Sequence, residues 1–127
     1  MNLEKVIFAF FIVLALTLNF GFYVGEIDNP VHHSVYELFA AIVVSLIATI
    51  LKFGDRTQIG AVLLSTSLVA MLQLIAAVLV WVVAVHVTQV GLTPSITASI
   101  VSLTGGAMIA NVISVVLLVV ETFVLRR

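Results

Sequence analysis

Three acids and two adjacent histidines lie within fourteen residues, in the segment GEIDNPVHHSVYEL that runs from Gly25 to Leu38. Imidazole and carboxylate groups bind zinc, nickel and manganese, and they also titrate or concentrate cations at a protein surface. The rest of the chain is mostly apolar, since 63% of its 127 residues are hydrophobic and only 9% are charged. This segment is therefore the first place to look for chemistry.

Three interpretations of the segment stay open. In the first, Ser34 and Glu37 form a capping box at the start of a helix, and the other residues form an ordinary loop. In the second, four side chains bind a metal ion, because two of them are four residues apart on one helical face. These four are Asp28, His32, His33 and Glu37. In the third, an oligomer repeats the carboxylates around a pore mouth, where they attract cations and the histidines add pH sensitivity.

The composition places the chain in a membrane and excludes several classes of function. The mean hydropathy is +1.35, far above that of soluble proteins. The sequence has no cysteine, which excludes thiolate metal sites, disulfides and cysteine nucleophiles. A net charge of −1 without a basic run argues against nucleic acid as a partner. The sequence shows neither a nucleophile with a base nor a nucleotide motif, so we expect neither an enzyme nor a cofactor.

Four segments are long and apolar enough to cross roughly 30 Å of hydrocarbon. They are approximately residues 6–24, 35–53, 59–87 and 96–125. The first segment is predicted to be a retained span, because it is longer than a signal-peptide core and lacks a small-x-small cleavage site. The predicted fold is therefore all-α: residues 1–127 form one transmembrane domain of four helices.

Residues between the segments are typical of helix ends. Gly54 follows the second segment as a C′ glycine would. Asp55 is predicted to cap the third helix, with Gln58 returning a hydrogen bond. Thr93 and Pro94 provide an N-cap and a first-turn proline for the fourth helix.

The positive charges predict the orientation. The five cations are Lys5, Lys52, Arg56, Arg126 and Arg127. All five lie on one side of the membrane if the chain crosses it four times, so both termini are predicted to be cytoplasmic. The segment with the two histidines then faces outward. Glu121 is predicted to lie at the inner surface and to pair with the terminal arginines.

The fourth segment carries two regular patterns. A ladder of small residues recurs every four positions: Ala98, Ser102, Gly106, Ala110 and Ser114. A polar line recurs every seven positions: Thr97, Thr104 and Asn111. Small residues let helices approach closely in lipid. We favour packing within a four-helix bundle as the explanation of both patterns, and the alternative is that the polar line faces a pore or cavity between subunits.

Polar residues in the other segments leave the same two alternatives. Ser45 and Thr49 follow Glu37 at four-residue spacing, and their hydroxyls either bond to their own helix or line a path. Gln73 and Asn111 lie inside the hydrocarbon, where an unpaired amide is costly, so they either pair or line a polar path. No charged residue lies at the midplane, which argues against proton-coupled transport. The path candidates are Glu37, Ser45, Thr49, Gln73, Thr104 and Asn111.

Three runs of sequence resemble a family of small bacterial inner-membrane proteins without a known activity. They are MNLEKVIFAFFIVLALTLNFGF, YELFAAIVVSLIATILKFGDRTQIGAVLL and LQLIAAVLVW, which together span most of the chain. The resemblance implies a bacterial inner membrane and no particular chemistry. Small multidrug transporters require an embedded glutamate where this chain has Ser45, and the glycine-rich and phenylalanine motifs of fluoride channels are missing. Both classes are set aside.

The sequence leads to two hypotheses of function. Since four short helices can hardly enclose a polar path alone, the first is a homo-oligomer that conducts or transports inorganic cations, with Glu37 at its outer mouth. The second is an accessory or structural subunit that stabilises a larger membrane complex. The predicted partners are the lipid bilayer, other copies of the chain and inorganic cations, and the second hypothesis adds a different membrane protein.

Overall fold

The computed structural model describes residues 3–25, 28–30 and 33–125, and within these ranges it contains four long α-helices and no strand. The helices are α1 (Leu3–Tyr23), α2 (Val35–Lys52), α3 (Gln58–Val82) and α4 (Pro94–Leu125). A π-helical turn, Val83–Val87, extends α3. Each of the four is long and apolar enough to cross a membrane, which confirms the predicted all-α class with four spans.

The helices form a ring in which each one packs against two neighbours. α1 packs on α2, α2 on α3, α3 on α4, and α4 on α1. Consecutive helices are antiparallel because their connections are short. We call the end of the ring that holds Lys5 and Lys52 the lysine end, and the end that holds His33 and His86 the histidine end. One interior is thus enclosed by four helices of a single chain.

The turn between α2 and α3 differs in one respect from the prediction. Gly54 has a φ of +89°, as expected for a glycine that ends a helix. The N-cap of α3 is Thr57, whose hydroxyl accepts a hydrogen bond from the amide of Gly60 at 3.0 Å. Asp55 instead accepts hydrogen bonds from the backbone amide and the hydroxyl of Thr57, at 2.9 and 2.7 Å. Asp55 therefore supports the capping residue rather than capping the helix itself.

The starts of the other two helices differ in their capping. α4 begins at Pro94, and Thr93 accepts a hydrogen bond from the amide of Ile96 at 3.2 Å, which confirms the predicted cap. Ser34 occupies the N-cap position of α2, but its side chain makes no capping hydrogen bond to the described residues. The Glu37 carboxylate lies against Gly21 of α1. The predicted capping box is therefore not formed, because its glutamate is used in a contact between helices.

The Asp55 contacts predict how acid affects stability. Hydrogen bonds from Thr57, together with the nearby Lys52 ammonium, hold the pKa of the Asp55 carboxyl below its usual value. Its stabilising effect is thus complete above the unfolded-state pKa and is lost as the pH falls through the lower, folded-state pKa. We expect Asp55→Asn to change stability at neutral pH by less than about 1 kcal/mol and to weaken the loss of stability in acid. Unfolding temperature measured against pH, beside an Arg56→Gln control, tests this, and an unchanged acid profile would contradict it.

Candidate functional site

The interior of the ring is built from one seam of buried residues on each helix. Along each seam the buried positions alternate three and four residues apart, a spacing that keeps one narrow face turned toward the neighbouring helices. The seams comprise positions 8, 12, 15, 19 and 22 of α1; 38, 41, 45 and 48 of α2; 60, 63, 67, 70, 74 and 77 of α3; and 97, 100, 104, 107, 111 and 114 of α4. Many of these residues are alanine, so the helices lie close together.

Each seam carries a polar residue near the middle of the bundle, and we call these four residues the polar layer. They are Asn19, Ser45, Ser67 and Asn111. The two asparagines are 0% exposed and the two serines 1% exposed. Among the described residues, no hydrogen-bond partner exists for either serine hydroxyl or for any amide atom of the two asparagines. Four helices thus supply unpartnered polar groups to one interior.

Contacts between α3 and α4 show that two members of the layer lie at similar heights. The hydroxyl oxygens of Thr66 and Ser114 are 2.5 Å apart, which aligns the two helices at this point. Ser67 follows Thr66, and Asn111 is three residues from Ser114 toward the histidine end. At a rise of 1.5 Å per residue, Ser67 and Asn111 differ in height by about 3 Å.

The remaining two members are placed by the packing of α1. The Tyr23 ring lies against Gly105, which puts Asn19 within about 3 Å of the height of Asn111. On α2, Lys52 lies 4.5 Å from the centre of the Phe8 ring at the lysine end. The Lys52–Phe8 contact and the contact between Glu37 and Gly21 fix the register of α2 against α1. They place Ser45 roughly 8 Å from Asn19 along the bundle axis, toward the lysine end. The whole layer is therefore roughly 8 Å thick.

Hydrophobic clusters lie on either side of the polar layer, and the alanines of one of them, Ala41, Ala70 and Ala110, reach into the height of the layer. Toward the histidine end is the Leu74 cluster, whose largest buried members are Phe22, Leu38, Leu74 and Ile100. Toward the lysine end is the Leu63 cluster, formed by Phe8, Ile12, Ala48 and Leu63. Apolar side chains thus fill the interior on both sides of the layer.

The chemistry of the layer follows from its donors and acceptors. Two amides and two hydroxyls offer four neutral oxygen atoms and the same number of donor groups. At membrane depth, a polar group without a hydrogen-bond partner costs several kcal/mol. The packing of the surrounding side chains does not offset this cost. Such an arrangement is stabilised when water or a small ion supplies the missing partners. The polar layer is therefore the candidate functional site.

The structure separates Gln73 from Asn111, so the two amides do not pair as one alternative predicted. Gln73 lies over Gly106 at the α3–α4 surface, and a methyl group added to that glycine would overlap the amide. Its carbonyl oxygen has no hydrogen-bond partner among the described residues. Ser99 and Ser102 line the same open groove. Gln73 thus belongs to a polar groove on the outer surface, away from the polar layer.

Two other path candidates are buried but hydrogen-bonded within their own helices. Thr49 donates to the carbonyl of Ser45 at 2.8 Å, and Thr104 donates to the carbonyl of Ile100 at 3.0 Å. Their hydroxyl protons are therefore engaged, as expected for such residues in membrane helices. Their oxygen atoms still add polar surface to the interior, one on each side of the layer.

The ladder of small residues on α4 does not form one face. Ser102 is exposed, Ala98 and Gly106 are half-buried, and Ala110 and Ser114 are buried in the interior. A four-residue step advances 400° around a helix of 3.6 residues per turn, so the ladder rotates by about 40° at each step. Toward the histidine end the ladder turns outward at Ser102, whereas toward the lysine end Ala110 and Ser114 face the core. The ladder is therefore not the single packing face that the sequence predicted.

The described acids and histidines of residues 25–38 lie at the histidine end but do not form a cluster. His33 is buried, and its Nδ1 contacts the backbone carbonyl of Phe22, whereas Asp28 is exposed. Glu37 is half-buried against Gly21. In the part of the chain that the structure describes, no three histidine or acidic side chains come together. His32 lies outside the described residues, and the metal site stays a prediction.

The lysine end holds a charged cleft between the ends of all four helices. Lys5 lies 3.6 Å from Glu121 and ties α1 to α4, while Lys52 lies 3.5 Å from Asp55. Glu4 also lines the cleft. Glu121 was expected to pair with Arg126 and Arg127, which lie outside the described residues. The ion pair between Lys5 and Glu121 joins α1 to α4 on the lysine-end side of the Leu63 cluster.

Sequence reasoning overlooked two members of the polar layer. Neither Asn19 nor Ser67 is among the path candidates that the sequence provides. The alternation of three and four residues provides the missing signal, because Phe8, Ile12, Ala15, Asn19 and Phe22 follow it without a gap. Patterns that repeat every four residues drift away from this seam.

Comparison with known proteins gives a family but no activity. A model described as a family of unknown function (DUF6394) matches residues 32–122, well over half of the chain. No curated protein and no solved structure matches the chain significantly.

Proposed function

The chain belongs to the DUF6394 family, whose function is unknown, and we propose that it conducts or transports small cations through the interior of its own four-helix bundle. The observation that carries this proposal is the polar layer: four buried polar side chains without partners among the described residues, one from each helix. In a purely structural bundle, buried asparagines would be paired between helices and buried serine hydroxyls would bond to carbonyls of their own helix. An interior path also removes the need for several copies to form a pore.

The order of the two hydrophobic clusters and the polar layer along the bundle axis suggests how a cation would pass. A cation would enter from one end, cross one hydrophobic cluster, and exchange water for oxygen atoms of the polar layer. It would leave across the other cluster. At the histidine end, the hydroxyl of Thr97, which has no hydrogen-bond partner in the part of the chain that the structure describes, lines a small cavity together with His33 and Trp81. At the lysine end the path would open into the charged cleft. The two clusters thus serve as closures on either side of the site.

The proposal includes an orientation and a membrane. Lys5, Lys52 and Arg56 share the lysine end, so this end is assigned to the cytoplasm by the excess of positive charge. Both termini then lie in the cytoplasm of a bacterial cell, as the resemblance to small inner-membrane proteins implies. Fusion of a cytoplasm-active reporter to the chain after Arg127 tests the orientation, and activity of an externally active reporter at that site would reverse it.

We also propose that the chain forms homo-oligomers, with no catalytic step or cofactor. The support is the open groove lined by Gln73, Ser99 and Ser102, whose polar side chains lie at a depth where lipid offers no hydrogen-bond partner. Hydroxyl and amide groups of two copies can donate to and accept from each other across a twofold axis. The same groove favours the second hypothesis, in which a different membrane protein docks there. Co-purification separates them, because a complex made of this chain alone supports the homo-oligomer, whereas a stable complex with a different membrane protein supports the accessory subunit.

Glu37 is proposed to attract cations at the outer mouth. Its carboxylate is held against α1 because residue 21 is glycine, and an added methyl group would displace the flexible carboxylate without meeting rigid backbone. We expect Gly21→Ala and Glu37→Gln to lower cation flux severalfold at low ionic strength, and less at 0.15 M salt, where the screening length is about 8 Å. Ser34→Ala is the matched control, since its side chain makes no capping bond. An equal effect of Ser34→Ala would return Glu37 to a capping role.

The experiment that tests the proposed function is ion flux into liposomes that contain the purified protein. Potassium, sodium, calcium and chloride are compared, with Glu37→Gln beside the wild type. Selective cation flux that the variant weakens is the expected result. A folded, discrete complex that passes none of these ions would overturn the proposal and favour the accessory subunit.

A further inference from the structure

We propose that the polar layer is a binding site for one partly dehydrated monovalent alkali cation, an inference that rests on the proposed function and names its substrate class. The site is formed by Asn19, Ser45, Ser67 and Asn111, all at least nine-tenths buried and all with side-chain atoms that lack partners among the described residues. Amide and hydroxyl oxygens are hard ligands, the kind that alkali cations accept in place of water.

The charge of the ion follows from the absence of carboxylates on the seams. The six acids of the sequence lie near the helix ends or in the connections, and none occupies a seam position. Calcium and magnesium sites in proteins are built on Asp and Glu carboxylates. A doubly charged ion held only by neutral ligands inside hydrocarbon would lose far more hydration energy than the layer can return. Neutral oxygens therefore favour a single positive charge.

The sign of the charge is indicated by the approaches to the layer. Asparagine amides and serine hydroxyls are also donors, so an anion is the competing ligand. The sequence has no lysine or arginine between residues 6 and 51 or between residues 57 and 125. The helices thus offer an anion no fixed positive partner at the depth of the layer. At the histidine end, Asp28 and Glu37 make the approach acidic, which concentrates cations.

Thermal unfolding of the purified protein in detergent tests this site without measuring transport. Lithium, sodium, potassium and calcium chlorides are titrated at constant ionic strength with N-methylglucamine chloride, and sodium fluoride and gluconate test the anion. A ligand that binds only the folded state raises the unfolding temperature in a saturable way. We expect such a rise with at least one alkali cation, irrespective of the anion.

Variants assign the effect to the layer. Asn111→Leu and Ser45→Ala each remove one ligand and should weaken the apparent affinity about tenfold or more, as expected for the loss of a bond to a charged group. Ile109→Ala, at a position on α4 that is 60% exposed, should leave it unchanged. Two variants are used so that poor folding of one does not decide the result, and the wild-type titration depends on neither.

The outcomes distinguish the site from the function. Saturable binding of an alkali cation that both layer variants weaken supports the site even if liposomes show no flux, in which case the proposed function fails alone. Three results overturn the site: no saturable effect of any alkali cation, an effect that follows calcium or the halide, or one that the layer variants leave intact. If flux is nevertheless present, the proposed function survives without this binding site.

Discussion

Replacement of Asn111 by leucine is expected to reduce cation flux about tenfold to a hundredfold while leaving the protein as stable as the wild type or more stable. In the structure both amide atoms of Asn111 are buried without a hydrogen-bond partner among the described residues. Leucine has a similar shape and removes the cost of those atoms, which is about 1–3 kcal/mol in proteins. It also removes a ligand whose bond to a charged group is worth about 1.5–3 kcal/mol, or ten- to a hundredfold in rate.

This pair of effects is the signature of a functional polar residue, because a structural one loses stability when it is replaced. Flux is measured in liposomes and unfolding temperature in detergent, with Asn19→Leu as the companion change on α1. Ile109→Ala is the control on α4, since Ile109 is 60% exposed. A destabilised Asn111→Leu protein with unchanged flux would show that the amide serves packing and would contradict the account of the layer.

Replacement of Leu63 by alanine is expected to act in the opposite direction, raising cation flux severalfold and lowering stability. Leu63 is fully buried in the Leu63 cluster, between the polar layer and the charged cleft. Its truncation should cost about 2–5 kcal/mol, as for other buried leucines. The same truncation widens the hydrophobic closure and makes it easier to hydrate, since apolar constrictions stop ions by excluding water.

The control for Leu63 lies on the same helix. Leu72 is 68% exposed, so Leu72→Ala should change neither flux nor stability appreciably. Leu38→Ala, in the Leu74 cluster, should repeat the effect at the other closure. Loss of stability in Leu63→Ala without any rise in flux would mean that the cluster is only a packed core.

The sequence was sufficient to predict the helices. Segments of about twenty apolar residues must form helices in a membrane, and Gly54, Thr93 and Pro94 mark their ends for simple stereochemical reasons. The predicted spans begin one to three residues later than the helices in three cases, because Leu3 and Pro94 already belong to a helix and Gln58 follows its cap directly.

The site was harder to predict because apolar helices in lipid show little contrast between their inner and outer faces. The hydropathy of α4 is nearly uniform, so the choice between a four-residue and a seven-residue pattern decided which residues were placed together. Asn111 was found through its polarity. Asn19 requires knowledge of the seam, and the exposed position of Ser102 follows only from the rotation of the ladder around α4.

Tertiary contacts decided the roles of two further residues. Glu37 fits a capping box by sequence, yet Gly21 on another helix provides space for its carboxylate. Gln73 and Asn111 both require partners by physical chemistry, but the direction in which each one points depends on how α3 and α4 pack. No local pattern contains this information.

The most direct test of the central claim, that water and ions reach the polar layer across the hydrophobic clusters, is the accessibility of single cysteines. The natural chain has no cysteine, so every signal comes from the introduced thiol. Ser67→Cys is compared with Val69→Cys, a position on the same helix that is 46% exposed toward lipid, and with Arg56→Cys in the turn at the lysine end. Silver ion and a small hydrophilic methanethiosulfonate are applied from water to the protein in liposomes. The account predicts reaction at positions 56 and 67 and none at position 69. Reaction at position 56 alone would show a dry interior and contradict it.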